Sequence, residues 1–356
     1  MQRRALLLGA LGFAQVALAA TPRALREPAL RAARPTQAAL QAVARAGRRL
    51  VAAGERGLVI WSDDDGRSWA QAQVPVAASL TALRFADERR GWAVGNLGVV
   101  LRTDDGGQTW TRRLDGAAAA ELAVQAARDA GPDAQADAQR LADEGPDKPL
   151  LDIALRADGS LLAVGAYGLA FESGDGGAQW RALMPRLPNP EGLSYYGHVE
   201  RGGEELLYGE QGLLLRGAGE TFAPQDSPAQ GSSLFGALAL REGPLLLMGL
   251  RGRLWRSAAR GEPWVARQTH VDAALLAGTQ LADGRVLLVG AAGQALLSRD
   301  GGQRLRPLAL KQRFPFTGVA QAADGALLFV GMRGLLRLAP EDLKAVIESG
   351  PPHSRT

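Results

Sequence analysis

Short apolar segments recur along most of the chain and are separated by turns rich in Gly and Asp. Examples are Trp92-Ala93-Val94, Leu162-Ala163-Val164 and Leu287-Leu288-Val289. Apolar runs of this length, bounded by turn residues, are typical of buried β-strands and are too short for the helices of a helical repeat. The pattern therefore predicts an all-β chain that is built from many short strands.

A Gly-x-x-Gly turn joins the second and third strands of each predicted unit, and it occurs seven times. The first glycines of these turns lie 41, 70, 44, 40, 41 and 41 residues apart. A period of about 40 residues is typical of propeller blades, and the single longer spacing indicates one insertion. We predict a seven-bladed β-propeller of four-stranded antiparallel blades. The turns begin at Gly54, Gly95, Gly165, Gly209, Gly249, Gly290 and Gly331.

The turn between the third and fourth strands carries the pattern Ser/Thr-x-Asp-x-Gly-x-x-Trp in several units, here called the Asp box. Short Ser and Asp side chains can bond turn backbone, Gly adopts a positive φ, and the aromatic residue packs between sheets. We predict that the box builds the turn. The alternative, calcium binding at residues 63–65, supplies too few carboxylates for about six to eight oxygen ligands. The predicted structural residues are Ser62, Asp64, Gly66, Trp69, Thr103, Asp105, Gly107, Trp110, Ser173, Asp175, Gly177, Trp180, Ser298, Asp300 and Gly302.

The longer spacing places the insertion between the second and third units. Residues 117–128 and 133–144 are rich in helix-forming residues and are separated by Gly131-Pro132. This predicts an α-helical hairpin over residues 117–144. Because alternate turns of a meander fall on opposite faces, the hairpin should share one face with the seven Gly-x-x-Gly turns. We call this the GxxG face, and the opposite face, which carries the Asp boxes, the Asp-box face.

The two ends of the chain bear on how the ring closes. The seventh unit ends near Leu338 without a fourth strand, and residues 341–356 are predicted to be a polar tail that begins as a helix. We predict that residues 28–34 pair with the last blade as a strand and close the ring, which would remove its exposed edges. The propeller is predicted to be a single domain over residues 26–340.

Residues 1–19 have the features of a secretory signal peptide. Arg3 and Arg4 precede an apolar stretch over residues 5–16, and Ala17-Leu18-Ala19 is a small-residue cleavage site. An uncleaved anchor is the alternative, but the apolar stretch is shorter than the ~20 residues of a spanning helix. We expect an exported, periplasmic protein that does not span the membrane after cleavage.

Composition narrows the function classes. The chain has 41 Lys and Arg against 37 Asp and Glu, and cleavage would leave 39 against 37. This balance lacks the basic excess of nucleic-acid-binding proteins, so no nucleic-acid partner is predicted. The absence of Cys excludes disulfides, so packing must stabilise the fold. His198, His270 and His353 are too scattered for a ligand set, and we predict no metal and no cofactor.

The Asp boxes, the Ala-Val-Gly-x-x-Gly rhythm and the segment Asp-Glu-Gly-Pro-Asp-Lys-Pro-Leu-Leu-Asp at residues 143–152 resemble the photosystem II stability/assembly-factor family and its non-photosynthetic bacterial relatives. The similarity covers about residues 40–338. It implies an exported seven-bladed propeller, similar in repeat to bacterial neuraminidase repeats, that acts as a non-catalytic assembly chaperone in the thylakoid lumen or periplasm. Relatives with this helical insertion are often associated with transporters of the resistance-nodulation-division type. Nothing in the chain specifies a photosystem partner.

A carbohydrate-active or carbohydrate-binding propeller of sialidase type is the alternative function. Such an enzyme needs a Tyr nucleophile with a Glu, an Asp acid and an Arg cluster. Tyr195 and Tyr196 lie near Glu191 and Glu200 in the sequence, and Arg is abundant. The Arg-Ile-Pro motif of sialidases is absent, however, and those enzymes have six blades. Nor does a Gly-x-Ser-x-Gly nucleophile motif occur. We therefore predict no enzymatic activity.

The middle residues of the seven Gly-x-x-Gly turns should form a ring on the GxxG face. They include Arg, Tyr, Leu and Met, and exposed Arg and Tyr are the residue types that most often anchor protein interfaces. With the helical hairpin, we predict that Arg56, Tyr167, Arg251 and Arg333 bind a membrane-protein complex or transporter subunit. The alternative is that each is simply a solvated turn residue. We expect the protein to be a monomer.

Overall fold

The computed structural model describes residues 21–241, 243–257 and 263–349. The predicted signal peptide, residues 1–19, and the end of the tail lie outside these ranges. As predicted, the chain forms a seven-bladed β-propeller with one inserted helical pair. The first strands of successive blades pack against one another in a closed cycle, in which the first blade contacts the seventh.

Each blade is an antiparallel sheet of strands that pair in chain order. The first four blades contain β1 (Leu40–Ala46), β2 (Arg49–Gly54), β3 (Val59–Ser62) and β4 (Ala70–Gln71); β5 (Leu80–Phe85), β6 (Gly91–Gly95), β7 (Val100–Thr103) and β8 (Thr111–Leu114); β9 (Leu150–Leu155), β10 (Leu161–Gly165), β11 (Ala170–Ser173) and β12 (Arg181–Ala182); and β13 (Tyr195–Arg201), β14 (Glu204–Gly209), β15 (Leu214–Ala218) and β16 (Thr221–Pro224).

The last three blades contain β17 (Leu234–Ala239), β18 (Leu245–Gly249), β19 (Leu254–Ser257) and β20 (Trp264–Arg267); β21 (Leu275–Gln280), β22 (Val286–Gly290), β23 (Ala295–Ser298) and β24 (Arg306–Pro307); and β25 (Phe316–Gln321), β26 (Leu327–Gly331) and β27 (Gly334–Leu338). The helices are α1 (Arg23–Arg26), α2 (Gly116–Ala127), α3 (Pro132–Glu144) and α4 (Pro340–Ser349). Within the described residues the seventh blade therefore has three strands, one fewer than predicted.

The second strand of each blade is the most deeply buried element, which explains its unbroken apolar sequence. In β6, β10, β18, β22 and β26 every residue is buried. Both faces of such a strand contact neighbouring blades, so alternation of polar and apolar residues is lost. The core is therefore divided among the junctions between blades.

A β-bulge follows the first residue of the first strand in all seven blades, where the register against the second strand shifts by one residue. The bulged Thr81 donates its hydroxyl to the Leu150 carbonyl of the next blade at 2.7 Å. Thr317 makes the same bond from the seventh blade to the Leu40 carbonyl of the first, at 2.9 Å. The seventh and first blades are therefore joined by the same kind of hydrogen bond that joins the second and third blades.

The predicted closing strand at residues 28–34 is wrong. Within the described segment 21–39 there is no strand, and the chain instead makes backbone hydrogen bonds to the connection between β4 and β5. The Ala29 amide donates to the Val74 carbonyl at 3.0 Å, and the Ala77 amide donates to the Ala24 carbonyl at 2.7 Å. Pro28 cannot donate to a sheet ladder, which disfavours a continuous strand here.

Helix α4 lies where the tail was predicted to begin as a helix, and it starts at Pro340 rather than at residue 341. Leu343 is buried, while Val346 and Ile347 pack against the same apolar cluster of the sixth and seventh blades. Proline is favoured in a first helical turn because its missing N–H has no partner there in any case. The helix thus covers apolar surface that the three-stranded seventh blade would otherwise leave open.

The predicted helical hairpin is present as α2 and α3. The Asp115 side chain caps α2 by accepting bonds from the Ala117 and Ala118 amides. Close packing fixes the hairpin on the GxxG face: a Cβ on Gly98, in the turn of the second blade, would lie 2.7 Å from the Cα of Gly116. Helix and turn backbones can approach this closely because position 98 is glycine.

The four best-preserved Asp boxes share one hydrogen-bonding scheme, although the box that begins at Ser298 has Leu305 in place of Trp. In the second blade, the Thr103 hydroxyl bonds Asp105 at 2.8 Å, and Asp105 accepts bonds from the amides of Gln108 and Thr109, both at 3.0 Å. The Trp110 indole donates to the Gly107 carbonyl. Equivalent bonds from Ser to Asp occur at Ser62, Ser173 and Ser298. The box side chains are committed to the turn itself.

An Arg from one blade reaches the backbone of the turn before the fourth strand in the next blade. Arg102 donates to the Gly176 carbonyl at 3.1 Å, and Arg256 donates to the Gly301 carbonyl at 2.9 Å. Arg337 closes the ring in the same way by donating to the Asp65 carbonyl at 2.8 Å. The turn therefore stabilises both its own blade and the junction with the preceding one.

The box carboxylates predict how stability depends on acid. Partial burial of Asp105 opposes its charge, but bonds from Thr109, Thr103 and Gln108 outweigh burial and hold its pKa below the ordinary 3.8. A carboxyl whose pKa is lower in the native state than in the unfolded state stabilises the fold at any pH above its unfolded-state pKa. This contribution is lost as the pH falls through the native-state pKa. We expect the free energy of unfolding to fall less steeply below about pH 4 in Asp105→Asn than in the wild type. Urea denaturation from pH 6 to pH 2.5 measures this dependence. Parallel curves for the two proteins would contradict this.

Candidate partner-binding face

The Gly-x-x-Gly turns share an unusual backbone conformation. In five blades the third residue of the turn has a left-handed φ between 52° and 61°, although none of the five is Gly. Such a conformation is uncommon for other residues, so its recurrence at one position indicates that blade geometry imposes it. The residues are Arg56, Leu97, Tyr167, Gln211 and Arg251.

The structure places all four predicted partner-binding residues at exposed positions of the GxxG face. Arg56, Arg251 and Arg333 belong to the turns of the first, fifth and seventh blades, and the Tyr167 side chain of the third blade is 66% exposed. They do not form one cluster. Tyr167 lies beside the hairpin, whereas the three Arg residues belong to turns of blades that do not carry it.

Exposed apolar side chains precede two of these Arg residues. Leu250, beside Arg251, is 42% exposed, and Met332, beside Arg333, is 52% exposed. An apolar side chain next to Arg combines burial on binding with a charged hydrogen-bond donor, and Met and Arg are enriched in interfaces. These two turns are therefore well suited to contact another protein.

Charge is unevenly distributed over the GxxG face. Turns and connections of the fifth to seventh blades and the first carry a set of exposed basic residues, whereas the hairpin over residues 117–144 contains six Asp or Glu against two Arg, Arg128 and Arg140. Opposite charges on two sides of one face can fix the orientation of a bound partner. The exposed basic residues are Arg56, Arg251, Arg253, Lys311, Arg313 and Arg333.

Between α3 and the third blade there is a groove of about 300 Å³. Tyr167 stands at its rim, and the Lys148 ammonium lies 5.6 Å from the centre of that ring. Burial opposes the charge of Lys148, but hydrogen bonds to Asp147 and Glu144 outweigh it and raise its pKa. Lys148 is therefore positively charged at neutral pH, and its ammonium lies over one face of the Tyr167 ring.

The tyrosine pair singled out as a possible glycosidase site lacks the required electrostatics. Tyr195 is fully buried, and burial raises its pKa far above the ordinary value. Burial and the charge of Glu210 also raise the pKa of Tyr196. A tyrosine nucleophile needs the opposite shift, towards the phenolate. Glu191 is exposed, and Glu200 accepts a bond from the Ala157 amide.

His198 belongs to a buried ionic network between the third and fourth blades. Its Nε2 lies 2.7 Å from Glu205, and the Arg156 guanidinium bonds Glu205 at 2.7 Å and Glu172 at 3.0 Å. Arg156 also donates to the Gly219 carbonyl at 3.0 Å. The fourth blade lacks a complete Asp box, and Arg156 contacts the corresponding turn there.

Burial of Glu205 opposes its charge, but bonds from His198 and the charge of Arg156 outweigh burial and lower its pKa. Sequence reasoning missed this network, because its members lie far apart in the chain. The sequence feature that could have indicated the network is a charged residue within a mostly apolar strand, as at Glu172 and Glu205. The charges are mutually satisfied, which favours a structural role.

Two further features of the described residues bear on function. No helix there is both long enough and apolar enough to cross a membrane. No group of three or more His, Asp or Glu side chains in those residues could hold a metal ion.

Residues 61–128 match the profile of a protein family described as photosynthesis system II assembly factor YCF48. The match confirms the predicted resemblance to photosystem II assembly factors. It runs from the third strand of the first blade to the end of α2. No curated protein sequence matches the chain.

Solved structures with the same fold include YCF48 from Cyanidioschyzon merolae, which is 16% identical with a TM-score of 0.63 over 86% of this chain and 97% of that one. YCF48 bound to a D1 peptide is 19% identical, with a TM-score of 0.62 over 88% and 99%. Virginiamycin B lyase from Staphylococcus aureus is 12% identical, with a TM-score of 0.67 over 85% and 94%. Binding proteins and lyases thus share this architecture, and the fold alone does not decide between them.

The buried network predicts a large cost for losing Arg156. Arg156→Ala would remove the guanidinium that the buried Glu172 and Glu205 share, leaving Glu172 with only the half-exposed Arg181 and Glu205 with His198, so we expect the free energy of unfolding to fall by about 3–5 kcal/mol. Urea denaturation at pH 7 measures the change. Arg48→Ala, at an exposed turn position, should change stability by less than about 0.5 kcal/mol. Similar small effects for both variants would show that the network is not structural.

Proposed function

We propose that this protein is a non-catalytic, exported assembly factor that binds a membrane-protein partner through its GxxG face. The observation that carries the proposal is the ring of exposed turn residues beside the helical hairpin. The Asp-box side chains, by contrast, are used within their own turns. A rigid ring presents the turns of several blades at once, so an extended partner segment can contact many of them without ordering the propeller.

The chemistry of the face supports binding of a polypeptide. Leu250 and Met332 supply apolar contact area, and Arg251 and Arg333 supply charged donors at the neighbouring positions. Arg can bond carboxylates and backbone carbonyls with fixed geometry, and such residues commonly dominate interface energetics. We infer that an acidic part of the partner lies over the fifth, seventh and first blades.

The comparisons support the same class of function. A propeller of the same fold has been solved with a D1 peptide bound, and residues 61–128 match an assembly-factor family. By analogy, we propose that a segment of a membrane protein is the partner here. The resemblance also implies a transporter of the resistance-nodulation-division type as the partner class for chains with this hairpin.

Charge reversal on the GxxG face should abolish partner capture. We expect the double variant Arg251→Glu and Arg333→Glu to lose the membrane protein that the wild type captures by in-cell crosslinking, because the acidic contact becomes repulsive. The matched control is Arg48→Glu with Arg299→Glu, on exposed turns of the Asp-box face. Mass spectrometry of the crosslinked material gives the readout. Equal capture by both double variants would contradict the proposed face.

Removal of the hairpin tests its contribution separately. A Cβ on Gly116 would lie 2.3 Å from the Pro146 carbonyl, so the two ends of the hairpin are adjacent and residues 117–144 can be deleted with the ends joined. We expect this variant to capture less partner while its blades remain folded, as judged by circular dichroism. Undiminished capture would exclude the hairpin from the interface.

Export predicts the mature N-terminus. We expect protein purified from the periplasmic fraction to begin at Ala20, because signal peptidase cleaves after small residues such as Ala17 and Ala19. N-terminal mass spectrometry measures this directly. Retention of residues 1–19, or recovery only from the cytosol, would contradict the proposal.

A further inference from the structure

The bulged residues of the seven first strands surround the axis of the propeller at the GxxG face. In every blade the residue before the bulge pairs with the first glycine of the Gly-x-x-Gly turn, which fixes the bulge at this end of the strand. All seven bulged residues are half-buried. The seventh, first and second blades carry Thr317, Gln41 and Thr81, whereas the third to sixth blades carry large apolar or aromatic residues. We call this second set the apolar arc: Leu151, Tyr196, Phe235 and Leu276.

The fold does not require apolar residues at these bulges. Thr81 and Thr317 occupy the same position in other blades and bond the next blade there, and the core is already filled by the preceding residue, which is fully buried at Leu150, Leu234 and Leu275. A contiguous, partly exposed apolar surface often marks an interaction site. The apolar arc is therefore better explained by binding than by packing of the ring.

Close approach of the strands makes the apolar arc continuous. The rings of Tyr196 and Phe235 lie 5.3 Å apart, centre to centre. A Cβ on Gly236 would lie 2.7 Å from the Leu276 carbonyl oxygen, so the backbones of β17 and β21 touch at the level of the bulges. The apolar side chains of the fourth, fifth and sixth blades are therefore neighbours around the axis.

Two turn residues extend this apolar surface outwards. The Leu250 amide donates to the Ser233 carbonyl at 3.2 Å, and the Met332 amide donates to the Pro315 carbonyl at 3.1 Å. Both bonds hold the turn beside the start of the first strand of its own blade. The exposed side chains of Leu250 and Met332 thus lie between the axis and the rim of the GxxG face.

The cations beside this surface lack a counter-charge. Among the described residues no ion pair involves Arg251, Arg253 or Arg333. The turns and connections around the fifth to seventh blades carry five Lys or Arg against two acidic residues, Asp226 and Asp272. Carboxylates on a ligand would therefore be attracted, whereas cations would be repelled.

The acidic turn residues elsewhere on the rim do not reverse this preference. Glu55 and Glu210 belong to the turns of the first and fourth blades, and each accepts a hydrogen bond from a backbone amide, at 3.2 Å and 3.0 Å. Their carboxylates are thus partly used within the protein, while the guanidinium groups of the fifth and seventh blades are available.

We propose that the apolar arc binds a large apolar side chain of the partner, within a segment that carries Asp or Glu on both sides of that residue. The apolar side chain covers Phe235 and Leu276 at the axis, and the carboxylates face Arg251 and Arg333. The identity of the partner as a membrane protein rests on the proposed function, but the apolar arc can be tested without it.

The first test compares two capped peptides, Asp-Glu-Phe-Glu-Asp and Asp-Glu-Ala-Glu-Asp. Binding to the purified mature protein is measured by ligand-observed NMR titration. We expect the Phe peptide to bind at least about tenfold more tightly, because only its ring can bury apolar area against the arc. Equal affinities, or no binding of either peptide, would overturn the proposal.

Substitutions within the ring of bulges provide matched controls. Phe235→Gln and Leu276→Thr introduce residue types that the same position already carries in the first and second blades, so the bulge should be kept. We expect each variant to lose most of the preference for Phe, whereas Gln41→Ala, on the polar side of the axis, should keep it. Loss of the preference in all three variants, or in none, would overturn the assignment.

A further variant guards against misfolding. Thermal unfolding followed by circular dichroism shows whether Phe235→Gln and Leu276→Thr are folded. The exposed Met332 can be changed without disturbing the core, and we expect Met332→Ser to weaken binding of the Phe peptide about threefold. No effect of Met332→Ser would exclude this turn from the binding surface and overturn the proposed extension of the arc.

The second test replaces the acidic flanks, using the capped peptide Lys-Lys-Phe-Lys-Lys. We expect it to bind at least about tenfold more weakly than the acidic Phe peptide, whose affinity should itself fall with added salt. Equal affinities would overturn the proposed partner chemistry. If both preferences are absent while in-cell capture still depends on Arg251 and Arg333, the proposed function stands and this inference falls. If both preferences hold but no membrane protein is captured, the inference stands and the proposed function falls.

Discussion

The ring depends on one repeated contact, the hydrogen bond from an Arg of one blade to the turn backbone of the next. Among the described residues it occurs at five junctions, through Arg49, Arg102, Arg156, Arg256 and Arg337. A carbonyl can accept this bond only if its turn is held in place. An Asp box holds the acceptor turn at four of these five junctions, all except the one made by Arg156, so turn chemistry and ring assembly are coupled.

This coupling separates structure from function on the two faces. Side chains on the Asp-box face make the hydrogen bonds that join the blades, so substituting them to suit a partner would disturb the ring. The GxxG face carries turns whose backbone is fixed by blade geometry but whose middle side chains are exposed. It also carries the hairpin, and sequence variation there need not disturb the ring. The acidic hairpin and the basic turns opposite it show that the residues at these positions can differ in charge without changing the fold.

The repeat, the blade number and the hairpin were predictable, because each depends on local turn chemistry or helix propensity at a fixed spacing. The closing strand at residues 28–34 was mispredicted, since nothing in its sequence shows that Val74 and Ala77 offer backbone partners elsewhere. The bonds from Arg to carbonyl groups were invisible for a related reason: a carbonyl acceptor has no sequence signature. The apolar arc likewise emerges only from three-dimensional packing, once the bulges place Phe235 and Leu276 around the axis.

Position-specific photo-crosslinking in living cells is the sharpest test of whether the GxxG face binds a membrane protein. A photoreactive residue would replace Tyr167, Leu250 or Met332 on the GxxG face, and Arg48 on the Asp-box face. We expect one membrane-protein adduct from the first three positions and none from the fourth. Adducts from Arg48 alone, or from all four positions equally, would contradict it.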